Sequence, residues 1–122
     1  MATILIVEDD ADLAASFLDL LRPLKATLIL ANDGQQALDL LAALPLQVDL
    51  IILDLYMPHV NGWEFLDFRK KSEALMAIPV LVVSAWTEID LELPYEQLQG
   101  LLHKSCAAHQ LIGAVQKILG IA

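Results

Sequence analysis

Apolar residues along this chain come in two rhythms. Unbroken runs of strand length, TILIV, ATLILA, VDLIIL, IPVLVVSA and the short GLLH, alternate with longer segments in which Leu, Phe, Val and Ile recur every three or four residues. Continuous runs suit parallel strands covered on both faces, whereas the three-to-four spacing marks helices with one buried stripe. The helical segments are ADLAASFLDLLRPL, GQQALDLLAAL, GWEFLDFRKKSEAL and CAAHQLIGAVQKIL. The order is βα repeated, with short turn-rich joints. WTEIDLELPYEQLQ departs from it, because Pro94 interrupts the segment and no clean stripe survives. A fourth helix there should be short or irregular, or begin at the proline. The pattern predicts an α/β fold: an open, doubly wound, five-stranded parallel sheet with flanking helices, whose ligands bind beyond the carboxyl ends of the strands. No linker, repeat or low-complexity tract divides residues 1–122, which are expected to form one domain.

That placement gathers distant polar residues. Glu8, Asp9 and Asp10 follow the first strand, Asp54 the third, Ser84 closes the fourth and Lys104 the fifth. Ionised carboxylates packed together raise one another's pKa and oppose the compact state, so something must offset their charge. Asp10 suits a helix cap. Capping uses one or two acids at most, and a hard cation such as Mg2+ suits the others. No hydroxyl–imidazole pair is evident at these strand ends, which counts against a triad hydrolase. The first βα joint lacks a glycine-rich phosphate cradle, so a nucleotide or flavin phosphate could approach only across a metal.

Composition narrows the setting. Hydrophobic residues make up 57% of the 122 and mean hydropathy is +0.60. Charged residues nonetheless break every apolar run short of the roughly 18 residues of a membrane span. The amino terminus turns acidic by Glu8 and does not resemble a signal peptide, so a cytoplasmic location without membrane contact is expected. The lone cysteine, Cys106, excludes an internal disulfide and reads as a small buried hydrophobe in the last helix. Sixteen acids against seven Lys and Arg leave a formal charge of −9, a field that repels nucleic acid. Arg69, Lys70 and Lys71 fall where a helix should end and read as solvated partners of its dipole.

ILIVEDD, ANDGQQAL, DLIILDLYMPHVNGWEFL, IPVLVVSA and LLHK, in this order and spacing, resemble the receiver domain of two-component response regulators. The resemblance covers nearly the whole chain and is most specific where an Asp after a buried strand is followed by Met57, Pro58, Asn61 and Gly62. It implies a flavodoxin-like sheet of order 2-1-3-4-5. It further implies that Asp54 accepts a phosphoryl group from the phosphohistidine of a sensor histidine kinase or histidine phosphotransfer protein. Glu8, Asp9, Asp54 and the Tyr56 backbone carbonyl would hold Mg2+ or Mn2+, Lys104 would pair with the phosphoryl oxygens, and Ser84 would donate its hydroxyl to one of them. A downstream protein target would read the result, without direct contact to nucleic acid. The length leaves no room for an output domain, so the expectation is a single-domain regulator or a receiver excised from a longer protein.

The chain also departs from the family pattern. Ser105 follows the lysine where the family usually has Pro, often cis; a non-proline cis bond costs about 2.5–4 kcal/mol, so a trans bond and an altered loop are expected. Leu101 stands where an aromatic often reorients on activation, which makes it the candidate to refill space vacated by Ser84. Tyr56 and Trp86 are bulky residues flanking the site and could screen an acyl phosphate from water. Three readings compete: a pseudo-receiver that binds protein without phosphorylation, a haloacid-dehalogenase-type phosphatase, whose second Asp is replaced by Tyr56, and a flavodoxin-like carrier, which needs a chromophore.

Overall fold

The computed structural model describes residues 2–43, 48–85 and 98–121. Five strands, β1 (Thr3–Val7), β2 (Thr27–Ala31), β3 (Leu50–Leu53), β4 (Val80–Ser84) and β5 (Gly100–His103), form one parallel sheet of order β2-β1-β3-β4-β5. The expected topology is the observed one. Register is continuous from Val7 opposite Ala31 and Leu53 to Ser84 opposite His103, so neighbouring strands end close together.

Alternate side chains of each strand enter different cores, as the period of two requires. Leu5, Val7, Ile51, Leu53, Val80 and Val82 pack on one face with Ala37, Phe65 and Leu66 from α2 (Gly34–Ala43) and α3 (Gly62–Lys70). Ile4, Ile6, Leu50, Ile52, Leu81 and Val83 meet Phe17, Leu21, Leu111 and Val115 from α1 (Ala11–Leu21) and α5 (Ala108–Leu119) on the other. Two-sided burial is why the strand sequences are apolar without alternation.

Helix boundaries follow local chemistry. Asp10 caps α1, its Oδ1 accepting the Asp12 and Leu13 N–H groups at 3.0 and 3.1 Å. Asn61 and Glu64 form a reciprocal capping box that starts α3. The segment from Gly62 to Leu75, read as one helix, breaks at Lys71: the Ser72 hydroxyl accepts the Leu75 N–H at 3.3 Å and restarts the chain as the single turn α4 (Glu73–Met76). A serine able to satisfy free N–H groups competes with helix continuation. The irregular helix expected around Pro94, together with Trp86, lies outside the described residues.

Arg69 corrects the reading of a solvated basic cluster. It is 2% exposed, beneath the turn between α3 and β4, and its Nη2 donates to Ile78 O at 2.9 Å and Met76 O at 3.4 Å. Its long stem covers apolar surface while the guanidinium satisfies carbonyls that no strand or helix uses. Lys70 and Lys71 are exposed, as expected of a helix end. Cys106 is partly buried against the second core but lies in the turn before α5 rather than in the helix.

Arg69→Ala should therefore destabilise the protein by about 2–4 kcal/mol in urea denaturation, from lost packing and stranded carbonyls. Lys70→Ala should stay within about 0.5 kcal/mol. Equal, small effects in both variants would return Arg69 to the surface.

Candidate functional site

β1 and β3 are neighbours, so Glu8 and Asp54 leave the sheet side by side. Pairing continues one residue beyond the strands: the Glu8 N–H donates to Ala31 O at 3.0 Å and the Asp54 N–H to Val7 O at 3.1 Å. β4 lies beside β3 and ends in Ser84, whose carbonyl accepts the Lys104 N–H at 3.0 Å. Four strand ends thus bring Glu8, Asp9, Asp54, Ser84 and Lys104 together. Across the site Gly62 begins α3. A Cβ there would stand 2.6 Å from Asp54 O and from Leu55 Cα, so only glycine lets the helix start directly against the Asp54 backbone.

Asp54 is 2% exposed and each of its oxygens is addressed. Oδ1 accepts from Ser84 Oγ and from the Tyr56 N–H, both at 3.4 Å, and Oδ2 accepts from Lys104 Nζ at 3.2 Å. The same ammonium lies 3.0 Å from Glu8 Oε1, without the alignment of a hydrogen bond. Glu8 Oε2 accepts the Asp10 N–H at 3.1 Å. Asp9 is exposed at the mouth, and ligand oxygens of Glu8, Asp9 and Asp54 lie within 4.8 Å of one another.

Three carboxylates facing one ammonium leave the pocket short of positive charge. Burial pushes the Glu8 carboxyl up to about 7, with the Asp54 charge adding to it, against the Asp10 N–H and Lys104. Burial also disfavours the Lys104 ammonium, but Glu8 and Asp54 outweigh it and hold its pKa above the ordinary lysine value. An all-oxygen donor set with one buried carboxylate oxygen lacking an aligned hydrogen bond fits a hard divalent cation.

Beside this pocket Tyr56 is 55% exposed, and its ring leans edge-on against Trp63, ring centroids 5.0 Å apart. The two rings, with Asp9, Met57, Pro58 and Asn61, line an open cleft of about 260 Å³. The loop carrying Tyr56 is tied to the start of α2: the Gly34 N–H donates to Val60 O at 2.9 Å, and Asp33 Oδ2 lies 3.0 Å from His59 Nδ1.

A doubly wound sheet with this acidic, lysine-bridged edge defines a class of signalling module. Residues 4–116 match the response regulator receiver domain, and the chain belongs to that family. It is 34% identical over 121 residues to the transcriptional regulatory protein CpxR of Escherichia coli K12, covering 98% of this chain and 50% of that protein. It is 31% identical over 120 residues to the sensor histidine kinase TmoS of Ectopseudomonas mendocina, covering 97% of this chain but 12% of that one. The chain therefore spans half or less of these curated relatives. Among solved structures, the response regulator TrrA of Thermotoga maritima, in complex with Mg2+–BeF, superposes with a TM-score of 0.83 at 25% identity, covering 98% of this chain and 100% of that one. Among the described residues no helix is long and apolar enough to cross a membrane.

Besides the break between α3 and α4 and the place of Cys106, two features escaped the sequence reading. One is buried Arg69. The other is an imidazole–hydroxyl contact at the end of β5, where none was expected: His103 Nδ1 lies 2.7 Å from Ser105 Oγ. The residues are two apart, so the only sequence signal was a local His-x-Ser, which is too common to notice. The contact is internal to a turn and does not assemble a triad.

Glu8 carries a pH signature in the metal-free protein. Its folded pKa is raised, so folding takes up a proton; the stability this contributes is fully present below about 4.5 and is lost as pH rises through about 7. Denaturation in chelator should show that decline in wild type, and Glu8→Gln should flatten it. A decline of the same size in Glu8→Gln would assign the titration to another group.

Proposed function

We propose that this chain accepts a phosphoryl group on Asp54 and signals through the surface that changes in response. The supporting observation is that Asp54, among the described residues the one buried aspartate, has its oxygens met by a hydroxyl and an ammonium while two further carboxylates converge beside it. An Asp54 oxygen attacks phosphorus as the phosphorus–nitrogen bond of a partner's phosphohistidine breaks, and the electron pair returns to the imidazole nitrogen. Glu8, Asp9, Asp54 and the Tyr56 backbone carbonyl would hold Mg2+ or Mn2+, which supplies charge neutralisation to the transferring group.

The chain's own groups then exchange partners. Lys104 moves from bridging Asp54 and Glu8 to the phosphoryl oxygens, and the Ser84 hydroxyl passes from Asp54 Oδ1 to one of them. That hydroxyl starts at 3.4 Å, so it gives up little. The donor is a sensor histidine kinase or histidine phosphotransfer protein. The output is contact with a protein target, since a charge of −9 disfavours direct nucleic-acid binding by these residues. Catalysis extends only to the domain's own phosphorylation and dephosphorylation, in the cytoplasm.

Intact mass after incubation with phosphoramidate should show one added phosphoryl group that requires Mg2+ and is removed by hydroxylamine, as an acyl phosphate is. Asp54→Asn should lack it. Persistence of the adduct in that variant would place the phosphate elsewhere, and its absence from wild type would leave a pseudo-receiver.

Asp9→Ala should weaken Mg2+ binding and slow phosphorylation by an order of magnitude or more. Asp10→Ala should chiefly cost about 0.5–2 kcal/mol of stability through the lost α1 cap. Equal losses of Mg2+ affinity, titrated calorimetrically, would undo this division between neighbouring acids.

A further inference from the structure

Lys104 must deliver a flexible four-carbon stem to one point, and the backbone that carries it is held by an unusual turn. Ser105 follows through a trans peptide bond, so no proline ring sets the chain direction. The Cys106 N–H donates to His103 O at 2.9 Å and closes four residues with Lys104 inside. Within that turn the Ser105 N–H donates to His103 Nδ1 at 3.0 Å, and Ser105 Oγ lies 2.7 Å from the same nitrogen. A ring nitrogen that accepts a backbone N–H carries no proton, so in the neutral ring the proton sits on Nε2.

A side chain that accepts from the backbone N–H two residues on is the device of Asn and Asp in Asx-turns. Here an imidazole performs it. The turn is anchored on both sides: His103 is in register with Ser84, the Lys104 N–H is bonded to Ser84 O, and Cys106 packs against the second core. From that fixed backbone Lys104 Nζ reaches 3.2 Å from Asp54 Oδ2 and 3.0 Å from Glu8 Oε1.

We propose that His103 is a positioning residue for phosphoryl transfer, which by accepting the Ser105 N–H holds the Lys104 turn so that the ammonium bridges Asp54 and Glu8. This rests on the phosphoryl-accepting reading of Asp54. A lysine whose backbone is fixed loses less freedom on meeting an oxyanion, and a displacement of the order of 1 Å at such a group can cost a large factor in rate. His103 acts through Lys104, whose ammonium lies against Glu8 and Asp54, so releasing the turn should not weaken Mg2+ binding by those carboxylates.

Three proteins are compared: wild type, His103→Phe, which keeps a ring but removes the acceptor, and His103→Asn, which restores an acceptor at the same reach. His103→Phe should slow uptake from phosphoramidate about tenfold without weakening Mg2+ binding, and His103→Asn should return it to within about twofold of wild type. The carbon-13 shift of the Asp54 carboxylate in the metal-free proteins reports the Lys104 contact independently of phosphorylation. It should move in His103→Phe and return in His103→Asn. Wild-type uptake with an unmoved carboxylate in His103→Phe would overturn the proposal, as would an Asn variant no faster than the Phe one. Absence of uptake in wild type, with the carboxylate shift still following the acceptor, would sink the phosphorylation reading and leave standing only that His103 holds Lys104 against Asp54 and Glu8.

Discussion

The Lys104 ammonium, shared between Asp54 and Glu8, is the interaction on which the rest of the site depends. Two carboxylates almost entirely removed from water could not both stay ionised without it, because in a poorly polarisable interior their repulsion and desolvation would drive at least one to protonate. The ammonium compensates only part of that charge, and burial pushes Glu8 up to about 7. The domain thus keeps an unmet electrostatic demand at the edge of an otherwise apolar sheet. Demand of that kind is what the proposed cation and phosphoryl group would satisfy together, the one through oxygen ligands and the other through the lysine and the serine.

The sheet makes this arrangement affordable. Parallel strands buried on both faces are rigid and end in register, so residues some thirty to fifty positions apart emerge within hydrogen-bond distance of one another. Rigidity at the strand ends is coupled to permissive chemistry just beyond them: a cap at Asp10, a close approach at Gly62, and a side-chain-closed turn at His103. Each fixes the direction in which one functional group leaves the sheet.

Much of this was readable in the sequence. The apolar runs marked all five strands within two residues at either end because packing against helices on both faces keeps most strand positions apolar, and the topology followed from the family resemblance. The acids, Asp54, Ser84 and Lys104 were legible because strand ends in such a sheet converge. What stayed hidden depends on tertiary context. Arg69 looks like any cation at a helix end until the turn from Met76 to Ile78 folds back over it. The split between α3 and α4 turns on whether Ser72 caps or is passed over, a balance of about 1 kcal/mol that periodicity does not register. The His103–Ser105 contact is invisible because local side-chain-to-backbone bonds leave no periodic trace.

The clasp between the loop after Asp54 and the start of α2 has a mechanical consequence. Val60 O holds the Gly34 N–H and His59 faces Asp33, so the loop cannot lift away from the sheet edge without breaking both attachments or dragging the helix with it. Hydrogen bonds of this sort contribute about 1 kcal/mol each. The helix α2, which packs against β1 and β2 at the far side of the sheet from β5, is thereby tied in position to the backbone that follows Asp54.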